Sequence, residues 1–403
     1  MEFEGKGISP FYPGHPVPVE LFVGRQEEIN RIDRAAYQVS SGKQQSIFIT
    51  GEYGIGKSSI AKYIRAYCED KYDLIGIHSF LGNSQSIEDI TERTMTSFIE
   101  AKIINQNRME IIRNSFSKYV HRAELFGLQI NTEALKTDLP DLSKGFLSFL
   151  KNLYERLAKE KVKGLVLIFD EINGVSKNPE FAHFIKNFVD DNAINYEIPI
   201  LLILCGVRER LGDMIKNHQP VERIFQIAEL SPLSKQEMEI FFTRSFQKID
   251  VHVNDDALEF MCRYSAGFPK IMHIIGEEIY WVNNDDIIQV EDAMSGILLA
   301  AEEVGRRFFD NQVISALKSK DYKSILKKIT TDSETGFFRL DLTLSKTAIL
   351  AMLSESEKRK FDNFIQKMKN LKVLSSSHRG EYTFSSRLFP LYVYLTSANE
   401  GKK

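Results

Sequence analysis

Four short apolar runs break the mixed pattern of the chain, at residues 46–50, 74–80, 164–169 and 199–205, and none of them shows the three-to-four spacing of an amphipathic helix. Runs of that length, apolar on both faces, read as strands of a parallel sheet covered by helices on each side. Between them the apolar residues return at helical spacing, beginning with Ile29, Ile32 and Ala36. A weaker run at 224–228 adds a fifth strand, so the pattern predicts an α/β fold with a five-stranded parallel sheet. More than 80 residues separate the second and third strands, long for a crossover. Helical spacing over 87–104, 109–126 and 146–159 predicts that a helical insertion fills about 85–160.

From 234 to 300 the pattern is helical throughout, with helices expected at 255–264, 271–282 and 290–300 and a helix start at Pro269 just after Gly267. The last hundred residues change character: a helix at 324–329, a short strand at 337–342, helices at 346–353 and 356–371, and strands at 373–377 and 382–386 around a turn at 378–381. That order is the order of a winged helix. Residues 1–20 hold Pro10, Pro13, Pro16 and Pro18 with Gly5, Gly7 and Gly14 and read as an extended arm. The expected organisation is thus an arm over 1–20, an α/β core over 21–230, a helical lid over 231–304 and a winged-helix domain over 305–403.

A length of 403 residues agrees with two or three domains, and 43% apolar with 27% charged residues is the composition of a folded soluble protein. No stretch reaches the roughly 18 to 20 apolar residues of a membrane span. The first residues, Met1-Glu2-Phe3-Glu4-Gly5-Lys6, lack the charged-then-apolar layout of a signal peptide, so a cytoplasmic location without a membrane partner is expected. Cys68, Cys205 and Cys262 lie far apart, which argues against a zinc site or a disulfide framework and for small buried hydrophobes. The net charge of −3 hides an asymmetry: from Gly305 onward 19 Lys and Arg face 10 Asp and Glu. A polyanion could be met by that portion and repelled by the acidic remainder.

Candidate chemistry begins with Gly51-Glu52-Tyr53-Gly54-Ile55-Gly56-Lys57-Ser58, which fits GxxxxGK[ST] in full and lies between a predicted strand and the helical pattern that starts at Ser59. The glycines let successive N–H groups turn inward at a helix N-terminus, a nest that favours phosphate. Lys57 can then reach the β- and γ-phosphates of ATP, and the Ser58 hydroxyl is placed to ligand Mg²⁺. About 110 residues later the strand at 164–169 ends in Asp170-Glu171. Asp170 would hold Mg²⁺ through its water shell, and Glu171 would orient and deprotonate the attacking water.

With these motifs, Phe22-Val23-Gly24-Arg25, Arg223-Ile224-Phe225 leading into Leu230-Ser231-Pro232-Leu233, and Gly267-Phe268-Pro269-Lys270, the chain resembles AAA+ and STAND-type ATPases over about residues 20–300. The order of motifs is similar to that of the origin-recognition initiator ATPases and their prokaryotic relatives. The resemblance implies a five-stranded αβα core, a helical lid, ATP bound between them, and often a C-terminal winged helix. It places Val23, Gly24 and Arg25 near the adenine and Arg223 as a finger that reaches a neighbouring subunit, with Arg208 and Arg210 as competitors and self-association as a corollary. Pro269 and Lys270 match the lid motif that senses the γ-phosphate, but lysine replaces the more frequent arginine and loses bidentate contact. Where the family offers a polar residue to position water, this chain has Cys205, which points to slow hydrolysis or a switch that stays ATP-bound.

In the candidate recognition helix, Lys358, Arg359, Lys360, Asn363, Gln366, Lys367 and Lys369 alternate with Phe361, Phe364, Ile365 and Met368, so the basic and amide residues project outward. With Arg379 on the candidate wing, duplex DNA is a reasonable partner. The leading expectation is an ATPase that couples nucleotide state to assembly and DNA binding. The alternative is a STAND-like signalling or defence switch that gates contact with a protein partner, in which turnover is incidental.

Overall fold

The computed structural model describes residues 6–101, 105–116, 120–124, 127–130, 142–332, 343–376, 378 and 380–400. The chain folds as two compact units, one spanning Pro16–Ser231 and the other combining Met1–His15 with Pro232–Lys403.

In the first unit, β1 (Gln45–Thr50), β2 (Leu74–Phe80), β3 (Val120–Glu124), β4 (Gly127–Ile130), β5 (Gly164–Asp170), β6 (Ile200–Gly206) and β7 (Gln226–Glu229) follow in chain order. Five of them form the parallel sheet β2-β5-β6-β1-β7. Every residue of β5 and β6 is buried, as strands covered on both faces must be. The five predicted strands are all present, with the fourth and fifth shifted by one or two residues. Phe80 pairs with Asp170 across β2 and β5, Ile49 with Cys205 across β1 and β6, and Thr50 with Glu229 across β1 and β7. The carboxyl ends of all five strands therefore lie along one edge of the sheet, where helices begin and ligands of such sheets bind.

Helices Gln26–Ser40, Lys57–Tyr72, Ile87–Glu100, Gln106–Phe116, Leu142–Ala158, Pro179–Asp191 and Arg208–Asn217 surround the sheet sequence. Phe48, Phe98, Phe146, Phe169, Phe181 and Phe188 fill the core of this unit. The insertion differs from the expectation of helix over 109–126: the helix ends at Phe116, and β3 and β4 pair antiparallel instead. Gly127, a poor helix former, lies where that helical pattern was read to its end.

In the second unit, helices Lys235–Gln247, Asp255–Ser265, Pro269–Val282 and Val290–Val304 account for most of the expected lid. It is not helical throughout, because β8 (His252–Val253) and β9 (Ile287–Ile288) pair in parallel. The arm packs onto these helices: the ring of Phe11 lies so close to Gly276 that a Cβ there would meet it at 2.2 Å, and the Tyr12 N–H donates to His273 Nδ1 at 3.1 Å.

Farther along the same unit come helix Lys320–Thr330, β10 (Thr343–Ser345), helices Lys346–Met352 and Glu355–Asn370, β11 (Leu374–Ser375), β12 (Glu381–Phe384) and helix Leu388–Glu400. The strands form an antiparallel sheet in the order β10-β12-β11. The strand expected at 337–342 lies outside the described residues. Phe361, Phe364, Ile365 and Met368 bury one face of Glu355–Asn370, as their spacing requires. The three cysteines are free and buried, and among the described residues no helix is long and apolar enough to cross a membrane.

One buried charge ties two helices of this region together. Glu357 is 3% exposed, and its carboxylate accepts from Lys328 Nζ at 2.7 Å and from the Ser354 N–H at 2.7 Å. Burial alone would raise its pKa, but Lys328 together with Ser324 and Ser354 outweighs burial and holds it at about 2. A carboxyl held below its ordinary value stabilises the fold above that ordinary value, near 4.5, and the contribution is lost as pH falls toward about 2. Acid unfolding followed by circular dichroism should show this directly: Glu357→Gln is expected to be less stable than the natural protein at pH 7, with a shallower loss of stability between those two pH values. Equal slopes for the two proteins would show that Glu357 is not the titrating group.

Candidate nucleotide site

The loop that joins β1 to helix Lys57–Tyr72 leaves no room at its first residue. Gly51 has φ +155, and a Cβ there would lie 2.9 Å from Ile55 Cγ2 and 2.9 Å from the Leu230 carbonyl. Leu230 is brought there by backbone pairing, its N–H donating to the Thr50 carbonyl at 2.7 Å. Gly54 (φ +81) and Gly56 (φ +99) complete the turn in the left-handed region, with Gly56 as the N-cap of the helix.

Arg25 holds this loop from outside. It is itself left-handed (φ 66) and 7% exposed, and its guanidinium donates to the Ile55 carbonyl at 3.0 Å and to the Ser231 carbonyl. Sequence reading placed Arg25 with Val23 and Gly24 at the base; the structure shows the side chain turned onto the backbone of the phosphate loop. Ser59 Oγ accepts from the Val17 N–H at 3.3 Å, which fixes the end of the arm against the same helix. Glu52 and Tyr53 lie at the exposed crest of the loop, Tyr53 being 73% exposed.

Lys57 Nζ donates to the Gly51 carbonyl at 2.9 Å and the Glu52 carbonyl at 2.8 Å, so its ammonium lies over its own loop. Burial lowers its pKa, against the pull of Asp170, Glu171 and Glu52. Cys205 is fully buried and its thiol is pushed well above the ordinary value by burial and by Asp170, so it is neutral near pH 7 and lends Lys57 no charge. Lys57 thus lies within electrostatic reach of both acids at the end of β5. Ser58 follows Lys57 at the start of the helix, half-buried.

Asp170 is 2% exposed at the end of β5, and Oδ1 accepts from the Glu171 N–H at 2.8 Å. Its Oδ2 lies 3.0 Å from His78 Nε2. His78 was missed in the sequence, although a histidine inside the apolar run of β2 was a signal. Glu171 occupies the left-handed region (φ 54), and burial, then the charge of Asp170, push its carboxyl up while Lys57 opposes them. A raised carboxyl is a stronger base, suited to accepting a proton near neutral pH.

The other expected residues lie elsewhere. Arg223 ends the 3₁₀ turn Gln219–Arg223 and is exposed, and among the described residues no hydrogen bond or ion pair joins it to the loop. Its competitors are engaged, Arg208 with Glu229 at 3.1 Å and Arg210 with Asp213 at 2.7 Å. Pro269 and Lys270 open a helix of the second unit, where burial and the neighbouring Arg307 lower the lysine pKa. On helix Glu355–Asn370, Lys358 pairs with Glu355 at 2.8 Å and Lys360 with Asp321 at 2.6 Å, Arg359 and Asn363 are exposed, and Lys367 is half-buried. Arg379 lies outside the described residues.

The family model of the AAA ATPase domain matches residues 21–192. No curated protein matches the chain. Among solved structures, the Walker-type ATPase PABY2304 of Pyrococcus abyssi is similar, with a TM-score of 0.55 at 15% identity over 93% of this chain and 96% of that one. The ORC2 protein of Aeropyrum pernix, solved in ADPNP–ADP complexes, is similar with a TM-score of 0.50 at 11% identity over 96% of this chain and 98% of that one. At such identities the likeness is one of fold. The match, the strand order and the paired phosphate loop and acids agree with one another: residues 21–192 are an AAA ATPase domain, and the chain is a P-loop ATPase.

Proposed function

We propose that this protein binds ATP with Mg²⁺ at the loop of residues 51–58 and hydrolyses it slowly, using nucleotide state to control self-assembly and the binding of duplex DNA. The observation that carries the catalytic part is the shared electrostatic site of Lys57, Asp170 and Glu171 at the carboxyl ends of β1 and β5. The inward N–H groups of the glycine turn bind the phosphates, and Lys57 leaves the Gly51 and Glu52 carbonyls to neutralise the β- and γ-oxygens. Ser58 and Asp170, a hydroxyl and a carboxylate, are the oxygen donors that suit Mg²⁺, which supplies charge neutralisation at the phosphates when bound. Glu171 orients the attacking water and takes its proton. Val23, Gly24 and Arg25 flank the base, and Arg25 also holds the phosphate loop in place. Lys270 senses the γ-phosphate as a point charge, and Arg223 serves a neighbouring copy.

The DNA part rests on the four helices and three-stranded sheet of residues 320–400, read as a winged helix, and on the exposed Arg359 and Asn363 beside Lys358, Lys360 and Lys367. A second reading, a signalling switch that gates a protein partner, is favoured by one observation: the end of β6 offers the buried thiol of Cys205 where a polar group would help position water.

In an ATPase assay and a nucleotide titration, Lys57→Ala should lose nucleotide binding, whereas Glu171→Gln should keep it and lose roughly 10²- to 10⁴-fold in turnover. Unchanged binding in the first or unchanged turnover in the second would sink the mechanism. Duplex DNA binding, titrated with salt, should weaken steeply, and reversing Lys358, Arg359 and Lys360 should reduce the log–log slope by about 3; no binding at low salt would favour the switch. Molecular mass in solution is expected to rise with a non-hydrolysable ATP analogue and to stay at that of the monomer, 46.3 kDa, for Arg223→Ala.

A further inference from the structure

β2 is apolar and buried over its first four residues, yet His78 interrupts it two residues before its end. Phe80 is in register with Asp170, and residues two apart on a strand share a face, so His78 and Asp170 project to the same side of the sheet. The ring reaches diagonally across to the carboxylate, with Nε2 3.0 Å from Oδ2. An ionised carboxylate only accepts, so Nε2 is the donor of this hydrogen bond. The other oxygen, Oδ1, takes the Glu171 N–H at 2.8 Å. Asp170 is thus gripped at both oxygens, and its carboxyl plane is fixed before any cation arrives.

We propose that His78 is a positioning residue for the cation site: it orients Asp170 toward Mg²⁺ and, through the Asp170–Glu171 linkage, sets where the Glu171 side chain departs. The proposal rests on the reading of Asp170 as the residue that holds Mg²⁺. Each carboxylate oxygen keeps a second lone pair for the water shell of the ion, so the grip does not compete with binding. On the opposite side of Asp170, β6 contributes only the buried, protonated Cys205, a weak donor. Polar support for the cation carboxylate therefore comes from β2. Partners of this kind restrict a ligand to the orientation that binds, and their loss weakens metal affinity even though they never touch the ion.

Mn²⁺ affinity of the full-length protein with ADP bound, followed by electron paramagnetic resonance, tests this without relying on turnover. His78→Phe keeps a ring of similar size but no donor, and should weaken Mn²⁺ at least about tenfold. His78→Gln, whose amide N–H reaches a similar position, should stay within about threefold of the natural protein. ADP affinity without metal should be the same in all three. A phenylalanine variant that binds Mn²⁺ as the natural protein does, or a glutamine variant as weak as the phenylalanine one, would overturn the role of His78. Asp170→Asn run in parallel separates the two claims: unchanged Mn²⁺ affinity there overturns the cation reading and this proposal together, whereas a loss in Asp170→Asn without one in His78→Phe overturns this proposal alone.

Discussion

No side chain fits at position 51, and the nucleotide site follows from that exclusion. With the Leu230 carbonyl and Ile55 both at 2.9 Å from where a Cβ would lie, the backbone of the loop is pressed directly against β7 and its own far side. The contact exists because β7 pairs beside β1 and carries Leu230 to the end of that strand. Arg25 closes the other side by donating to the Ile55 and Ser231 carbonyls. The backbone of the turn is therefore held by the protein's own packing, which is what preorganisation of an anion site requires.

Charge around the loop is distributed so that each group is useful near neutral pH. Lys57 is partly desolvated, which lowers its pKa, and Asp170 and Glu171 oppose that lowering. Glu171 is raised by burial and by Asp170 and gains basicity, while Asp170 is held at both oxygens by His78 and by the Glu171 N–H. Two adjacent carboxyls thus receive different roles from different surroundings, one gripped and one left free to take a proton. Cys205 adds neither charge nor a strong donor beside them.

The sheet was legible in the sequence because four of its five strands are apolar runs of strand length, and the phosphate loop because its residue types have no easy substitute. The same logic failed in the insertion: Gly127 weakens helix there, but the periodic pattern of 109–126 gave no sign that β3 would replace the last turns of helix. Arg25 makes contacts that its place in the chain did not reveal. Its neighbours along the chain suggested a base pocket, whereas its partners Ile55 and Ser231 are 30 and 206 residues away and visible only in three dimensions. His78 was passed over for a similar reason: within β2 it is one polar residue, and only the register with β5 reveals what it faces.

Ion pairing divides the arginines and lysines that one sequence pattern treats as equals. Arg208, Arg210 and Arg223 all follow β6, but Arg208 and Arg210 already face carboxylates, and a guanidinium already paired must give up that partner to serve a phosphate. Arg223 needs no such exchange with a described partner, and its exposure at the end of a 3₁₀ turn leaves it the best placed of the three to act on another molecule. The basic helix divides in the same way. Lys358 and Lys360 are tied to Glu355 and Asp321, whereas Arg359 and the amide of Asn363 are exposed. Exposed pairs of this kind are weak, about 0.2 to 1 kcal/mol, so neither lysine is held fast by its carboxylate.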